Sequence, residues 1–369
     1  MLIGLNSAWN IVNFRSGLIR ALVYSGYEVV AAAPADEYAE DVVKLGCRFI
    51  PLSMNNKGTS PTQDVLLLYQ FLKVMRSEKP DVFLGFTIKP NVYGSVAAHI
   101  LGIPVINNIA GLGTVFMQDG WLNKFVRVLY KNALSRSFKV FFQNDDDRRI
   151  FVSSGLVSEN RASRLPGSGV DLQRFSPTPL PGGSKLRFLL VARMLWDKGV
   201  GEFVEASKIL RERGLDIECC LLGFLDVQNP GAISRKQIDE WVAGGDVLYL
   251  GARKDVRDEI SQADCIVLPS VYREGTPRSL LEAAAMARPI VTTDSVGCRD
   301  VVSDGVNGYL CRPRDASDLA DKMALVAGMS ATERMDMGLR GRNRVEIEFD
   351  ERLVISEYLL SINLAVAKD

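Results

Sequence analysis

The sequence predicts an α/β chain of two doubly wound parallel-sheet domains in tandem. Three observations predict it. Short apolar runs alternate with helix-period segments through both halves, the pattern of parallel sheets flanked by helices. The segment Phe175-Ser-Pro-Thr-Pro-Leu-Pro-Gly-Gly-Ser184 breaks that alternation with three prolines and two glycines in ten residues. The 369 residues are 47% hydrophobic and 24% charged, enough for two ordinary cores.

In order, strands are expected at Leu2–Leu5, Glu28–Ala33, Phe49–Leu52, Val82–Phe86, Pro104–Asn107 and Val140–Gln143. Helix patterns lie between them near 14–25, 37–46, 62–77, 91–101 and 121–137. A second series of strands follows at Phe188–Ala192, Glu218–Leu222, Val247–Leu250, Cys265–Pro269 and Ile290–Thr293. The domains are therefore expected over 1–175 and 185–350, with 176–184 as linker. A final helix within 351–369 is a candidate to pack back on the first domain. Open parallel sheets bind ligands beyond the carboxyl ends of their strands. Two such sheets facing each other would place a central cleft between them.

Composition excludes several classes. No apolar stretch is long enough to span a bilayer, and the start, Met-Leu-Ile-Gly-Leu-Asn-Ser, reads as a strand rather than a secretory signal. The six cysteines form no C-x-x-C pair and the chain has one histidine, so no metal site is expected and the thiols read as buried and reduced, which suits a cytoplasmic protein. Residues 1–170 carry 18 Lys and Arg against 13 Asp and Glu, and the remainder carries 26 against 31. The basic half suggests an anionic partner. No basic stripe interleaved with aromatics occurs, so nucleic acid is not the expected partner.

The segment Glu274-Gly-Thr-Pro-Arg-Ser-Leu-Leu-Glu282 places two carboxylates across an expected helix start with seven residues between them. Thr276 suits the N-cap and Pro277 the first turn. The N–H groups there, from Arg278 through Ser279 and Leu280, favour an anion. A carboxylate accepts two hydrogen bonds, which suits neighbouring hydroxyls. A diphosphate between two polyol rings satisfies all three parts, which describes a nucleotide-sugar. The same spacing also fits an amphipathic helix whose first Glu favours the macrodipole.

Other candidates also follow expected strands. Arg193 and Lys198 stand in Arg193-Met-Leu-Trp-Asp-Lys198, where two cations can hold a diphosphate, or else face water. Gly223 follows the next strand and either admits a ligand to the backbone or makes a turn. Tyr249-Leu-Gly-Ala-Arg253-Lys-Asp255 either borders a base or forms a turn with an Asp cap.

As a set, these residues resemble glycosyltransferase family 4: Arg193 with Lys198, Tyr249-Leu-Gly251, Pro269-Ser270, and Glu274-Gly-x-Pro with Glu282. Gly169-Val-Asp-Leu-Gln-Arg-Phe175, Thr292-Thr-Asp294 with Gly297, and Asp304-Gly-Val-Asn-Gly308 fit as well. The resemblance implies the GT-B architecture of two Rossmann-like domains and retaining, metal-independent transfer without a cofactor. It implies that Glu282 accepts from ribose hydroxyls and Glu274 from the transferred sugar. It implies that Arg193 and Lys198 hold the diphosphate, joined by the backbone of Gly275, Thr276, Arg278, Ser279 and Leu280, and that Arg253 borders the base.

A closer resemblance within the family rests on Asn13-Phe-Arg15, Lys89-Pro-Asn-Val-Tyr-Gly94, Asn107-Asn-Ile-Ala-Gly-Leu-Gly113, Leu195-Trp-Asp-Lys-Gly-Val200 and Tyr249–Asp255. It points to α-N-acetylgalactosaminyltransferases and O-antigen or capsule enzymes that extend undecaprenyl-diphosphate-linked sugars. It implies a UDP-sugar donor, a lipid-linked acceptor and a cytoplasmic enzyme peripheral on the inner face of the plasma membrane. The alternatives are a UDP-sugar 2-epimerase, which needs no acceptor, and a non-catalytic nucleotide-sugar-binding subunit.

One departure stands out. Many members carry a histidine after the fourth strand, where Gly85-Phe-Thr-Ile-Lys-Pro90 has Ile88. His99 lies in a helix pattern and receives no role, and Thr87 or Lys89 is left to take over sugar or phosphate contacts. After Leu5 stands Asn6-Ser-Ala-Trp-Asn10 rather than G-x-G-x-x-G, which weakens a dehydrogenase reading. Gly111 and Gly113 either approach the acceptor's diphosphate or end a strand. Residues 120–139 hold five cations and no acid, with Trp121, Phe125, Val128 and Leu129 at helical spacing. That pattern suits a helix on anionic lipid as well as a core helix with a solvated face.

Overall fold

The computed structural model describes residues 1–55, 60–111, 121–183, 185–225 and 229–367, with 121–125 described by backbone alone. The chain divides into two compact units, Met1–Ser168 with Glu351–Asp369, and Gly169–Asp350. The first unit carries β1 (Leu2–Gly4), β2 (Val30–Ala33), β3 (Arg48–Pro51), β4 (Phe83–Phe86), β5 (Val105–Ile109), β6 (Lys139–Phe142) and β7 (Ala162–Arg164). They form one parallel sheet in the order β3-β2-β1-β4-β5-β6-β7. The second unit carries β8 (Leu186–Val191), β9 (Ile217–Leu222), β10 (Leu248–Tyr249), β11 (Cys265–Leu268), β12 (Ile290–Thr293) and β13 (Gly308–Cys311). Their order is β10-β9-β8-β11-β12-β13, again parallel. In both sheets the order reverses beside the first strand, which is the doubly wound switch point where such folds bind ligands.

Several elements differ from expectation. β7 and β13 were not expected. The pattern near 14–25 is two helices, Ala8–Phe14 and Ser16–Tyr24, and the first starts where Ser7 accepts from the Asn10 N–H at 3.1 Å. The pattern near 91–101 opens as a π-turn, Pro90–Gly94, before the helix Ser95–Ile100. Lys89, a candidate for sugar or phosphate contacts, instead donates to Asp64 at 2.7 Å in a mostly buried pair. His99 Nε2 donates to the Ala133 carbonyl at 2.8 Å. Gly113 and Gly120 lie outside the described residues.

The boundary expected at residue 175 falls instead between Ser168 and Gly169. Val170 bridges Asp350, and Phe175 is buried in the second unit's core. The proline-rich segment does not begin as a free linker either, because two arginines fasten its approach to the second unit. Arg342 donates to the carbonyls of Phe175 and Ala285, each at 2.8 Å. Arg288 is fully buried and donates to Thr178 O at 2.8 Å, Pro179 O at 2.8 Å, Ser261 O at 2.9 Å and Ile260 O at 3.1 Å. Burial pulls its guanidinium down to about 10. Replacing it with an apolar side chain would strand those carbonyls, so Arg288→Met is expected to destabilise the chain by about 3–5 kcal/mol. Arg288→Lys is expected to recover little, since one ammonium cannot span the fork. Thermal unfolding checks both.

The last helix, Glu351–Val366, packs within the first unit. Val354, Tyr358 and Ile362 enter its core, and the Tyr358 hydroxyl accepts from Asn108 at 3.0 Å. All six cysteines are free and buried, and burial pushes Cys47 and Cys298 to about 11 and Cys219, Cys220 and Cys311 to about 12. Among the described residues, no helix is long and apolar enough to cross a membrane.

Candidate active site

The candidate donor residues all lie in the second unit, in loops that leave the carboxyl ends of its strands or on the helix Arg278–Ala285 that follows one of them. The chain leaves β8 and forms one turn of 3-10 helix, Trp196–Lys198, ended by Gly199 at φ 74°. A Cβ at Gly199 would stand 2.1 Å from the Pro269 carbonyl oxygen, so only glycine lets this loop meet the one after β11. The Asp197 carbonyl accepts from the N–H groups of Val271 and Tyr272 at 3.0 and 3.1 Å and seals the same junction.

That junction brings Lys198 to Glu274. Their side chains form an ion pair, 14% and 13% exposed. Ser270 Oγ lies 3.0 Å from the same carboxylate oxygen, and the Lys198 ammonium sits 5.6 Å from the Tyr272 ring centroid. Gly297, at φ 84°, closes the far side, where a Cβ would stand 2.3 Å from the Gly275 carbonyl oxygen. Glu274 is thereby held by contacts that its spacing from Lys198 could not foretell.

Glu282 lies on the helix Arg278–Ala285 and accepts from Arg278 Nε at 2.9 Å. Burial raises its pKa, while Arg278 and then Arg174 oppose the rise and Asp255 adds to it. Asp255 in turn is held low by Arg257, whose guanidinium reaches it at 2.6 Å and whose backbone N–H reaches it at 3.1 Å. Asp255 therefore caps its turn. Arg174 lies 3.7 Å from Asp255, a neighbour that the spacing of the sequence did not suggest.

The helix start differs from expectation. Thr276 is buried and is not the cap. Pro277 takes that place with ψ 118°, and the helix begins at Arg278. The N–H of Leu280 already donates to the Pro277 carbonyl at 3.2 Å, so Leu280 is not a spare donor. Arg278 and Ser279 stand in the first turn of the helix. Gly223 meets its own chain: a Cβ there would stand 1.8 Å from the Ala192 carbonyl oxygen, and its N–H donates to Gly251 at 2.9 Å. Arg193 is exposed and makes no ion pair among the described residues. Arg253 is half exposed and turns toward Glu259 at 3.3 Å. Among the described residues, no three His, Cys, Asp or Glu gather as a metal site.

This arrangement can hold an anion between Lys198 and a helix N-terminus, with a carboxylate on either side to receive hydroxyls. Comparisons with known proteins identify the family. Residues 12–167 match the glycosyl transferase 4-like domain, and residues 185–327 match glycosyl transferases group 1. The chain is 29% identical over 369 residues to N,N'-diacetylbacillosaminyl-diphospho-undecaprenol alpha-1,3-N-acetylgalactosaminyltransferase of Campylobacter jejuni, covering 95% of this chain and 94% of that one. It is 24% identical over 326 residues to UDP-Gal:alpha-D-GlcNAc-diphosphoundecaprenol alpha-1,3-galactosyltransferase of Escherichia coli, covering 84% and 82%. In fold it is similar to Anabaena HepE, solved with UDP and glucose, at a TM-score of 0.80, 15% identity and 98% coverage of both chains. With both characteristic domains in sequence and both Rossmann-like sheets in structure, the chain belongs to the GT-B glycosyltransferases of family 4.

Proposed function

We propose that the chain moves an N-acetylhexosamine, N-acetylgalactosamine being favoured, from a UDP-sugar to an undecaprenyl-diphosphate-linked sugar, keeping the α configuration. The product would serve bacterial surface polysaccharide or protein glycan assembly. The observation that carries the reading is the Lys198–Glu274 pair, just before the start of the helix that carries Glu282. The activities named for the two relatives support the lipid-linked acceptor, and UDP in one relative's name and in the HepE complex supports the nucleotide. Both relatives are named as transferases, which favours transfer over epimerisation or mere binding.

In this reading Glu282 accepts from the ribose hydroxyls and Glu274 from those of the transferred sugar. Lys198, Arg193 and the N–H groups of Arg278 and Ser279 hold the diphosphate, so fixed positive charge serves without a metal or cofactor. The bond from the anomeric carbon to the phosphate oxygen breaks as the acceptor oxygen attacks from the same face. The acceptor's proton passes to the departing diphosphate, which leaves as UDP.

The acceptor's lipid anchor calls for a membrane-facing surface, and two helices of the first unit suit one. Trp121–Leu134 has no acid and exposes Lys131 and Val128. Pro61–Glu78 exposes Val65, Leu66 and Tyr69, followed by exposed Lys73 and Arg76. Both pack against Ser95–Ile100. Apolar side chains with neighbouring cations suit anionic lipid, which supports the reading of an enzyme peripheral on the inner face of the plasma membrane.

The test is thermal unfolding with UDP, GDP, ADP and a panel of UDP-sugars, followed by transfer assays on a lipid-diphosphate acceptor. UDP at a hundred times its Kd is expected to stabilise by about 2.7 kcal/mol. Selective stabilisation by UDP with sugar transfer supports the reading. A UDP-sugar turned over without acceptor indicates the epimerase, and no shift with any nucleotide sinks the donor site. Co-sedimentation with vesicles containing anionic lipid checks the membrane surface.

A further inference from the structure

Ser270 lies two residues past β11 and is fully buried. Its hydroxyl is 3.0 Å from Glu274 Oε1 and 3.2 Å from the Asp197 carbonyl oxygen. One hydroxyl has one proton, and that carbonyl already accepts from Val271 and Tyr272. The proton therefore goes to the carboxylate, where the bond is charge-assisted. The Ser270 backbone is itself fixed, since its carbonyl accepts from Thr293 Oγ1 at the end of β12 and from Ser295 Oγ at 3.0 Å. A line of hydrogen bonds thus runs from the β12 loop through Ser270 to Glu274 and on to Lys198.

Glu274 has two very different partners in this line. Lys198 is the cation assigned to the donor's diphosphate, and in that assignment the diphosphate competes with Glu274 for its ammonium. Ser270 belongs to the frame and stays. We propose that Ser270 is a positioning residue that keeps Glu274 aimed at the transferred sugar while the donor's diphosphate takes Lys198 from it. The proposal rests on the donor assignment above. Its consequence is selective: losing the hydroxyl harms recognition of the sugar and leaves recognition of the nucleotide alone.

The experiment compares wild type, Ser270→Ala and Ser270→Thr for thermal stabilisation by UDP and by UDP-sugar, and for kcat and KM in transfer. Ser270→Ala is expected to keep the UDP shift, lose the extra stabilisation given by the sugar, and lower kcat/KM by about 10- to 100-fold. Ser270→Thr is expected to restore most of that activity, because it returns the hydroxyl. Should Ser270→Ala fail to fold, Ser270→Cys, whose thiol is a weak donor, carries the same comparison. A variant without the hydroxyl that transfers within twofold of wild type overturns the proposal. So does one that loses the UDP and UDP-sugar shifts together, which marks a merely structural role. Wild type tests the donor assignment separately, because its UDP shift fails only if that assignment fails.

Discussion

Lys198→Ala is expected to lower kcat by about 10²–10³-fold, the usual cost of removing one preorganised group that stabilises transition-state charge. The loss falls mainly on kcat because negative charge on the departing diphosphate grows as the glycosidic bond breaks. Ground-state binding has other support from the helix N-terminus. The fold is expected to lose much less, about 1–3 kcal/mol, since the pair is neither fully exposed nor sealed. That loss comes from leaving Glu274 with Ser270 but without its cation. Lys198→Arg keeps the charge on a wider, planar group and is expected to recover only part of the rate. Because Lys198 and Glu274 share one interaction, Lys198→Ala with Glu274→Ala is expected to cost less than the two single losses together. Steady-state kinetics beside a thermal melt separates these effects. Full transfer activity in Lys198→Ala would remove Lys198 from the mechanism.

The doubly wound sheets were legible because each central strand is a short apolar run bounded by turn residues. β7 escaped because its three residues, Ala162-Ser-Arg164, bury only the alanine. β13 escaped because Gly308 opens it, and a strand beginning with glycine reads as a turn. The glycine is there because a Cβ would stand 2.2 Å from the Ile290 carbonyl oxygen. Arg288 shows a different limit. An arginine among apolar residues reads as a surface cation, and nothing in its own segment announces carbonyls gathered from residues 178, 179, 260 and 261.

The candidate site was legible as a set of residue types and not as a set of partners. The sequence separates Lys198 from Glu274 by more than seventy residues, and only the fit of Gly199 against Pro269 joins their loops. Thr276 before a proline looked like a cap, yet Pro277 holds an extended ψ and supplies the cap position itself. Gly223 was visible as a place of close approach or a turn, and Gly297 only through the family resemblance. The structure shows that what approaches them is the protein's own backbone.

Glu282 sets a pH dependence whose direction follows from its surroundings. In the proposed role, the carboxylate must be ionised to accept from both ribose hydroxyls. Burial pushes its pKa above the ordinary range, Arg278 and Arg174 pull it back, and Asp255 pushes it further up. Donor kcat/KM is therefore expected to fall on the acid side at a pH above the usual glutamate value of about 4.3. Arg278→Met removes the strongest opposing charge, so that limb should move to higher pH than in wild type. Lys198→Ala should instead lower the rate without moving the limb, and Glu282→Gln should weaken UDP binding and abolish the limb. If Arg278→Met and wild type share one acid limb, Glu282 is not the group that titrates. Stability moves the other way. A carboxyl whose folded pKa lies above its unfolded one contributes stability fully below the unfolded pKa and loses it as pH rises through the folded pKa. Ionising Glu282 thus costs the fold something that the ribose hydroxyls return on binding. Stabilisation by UDP should accordingly grow as pH rises through the Glu282 pKa, and the rise should come later in Arg278→Met.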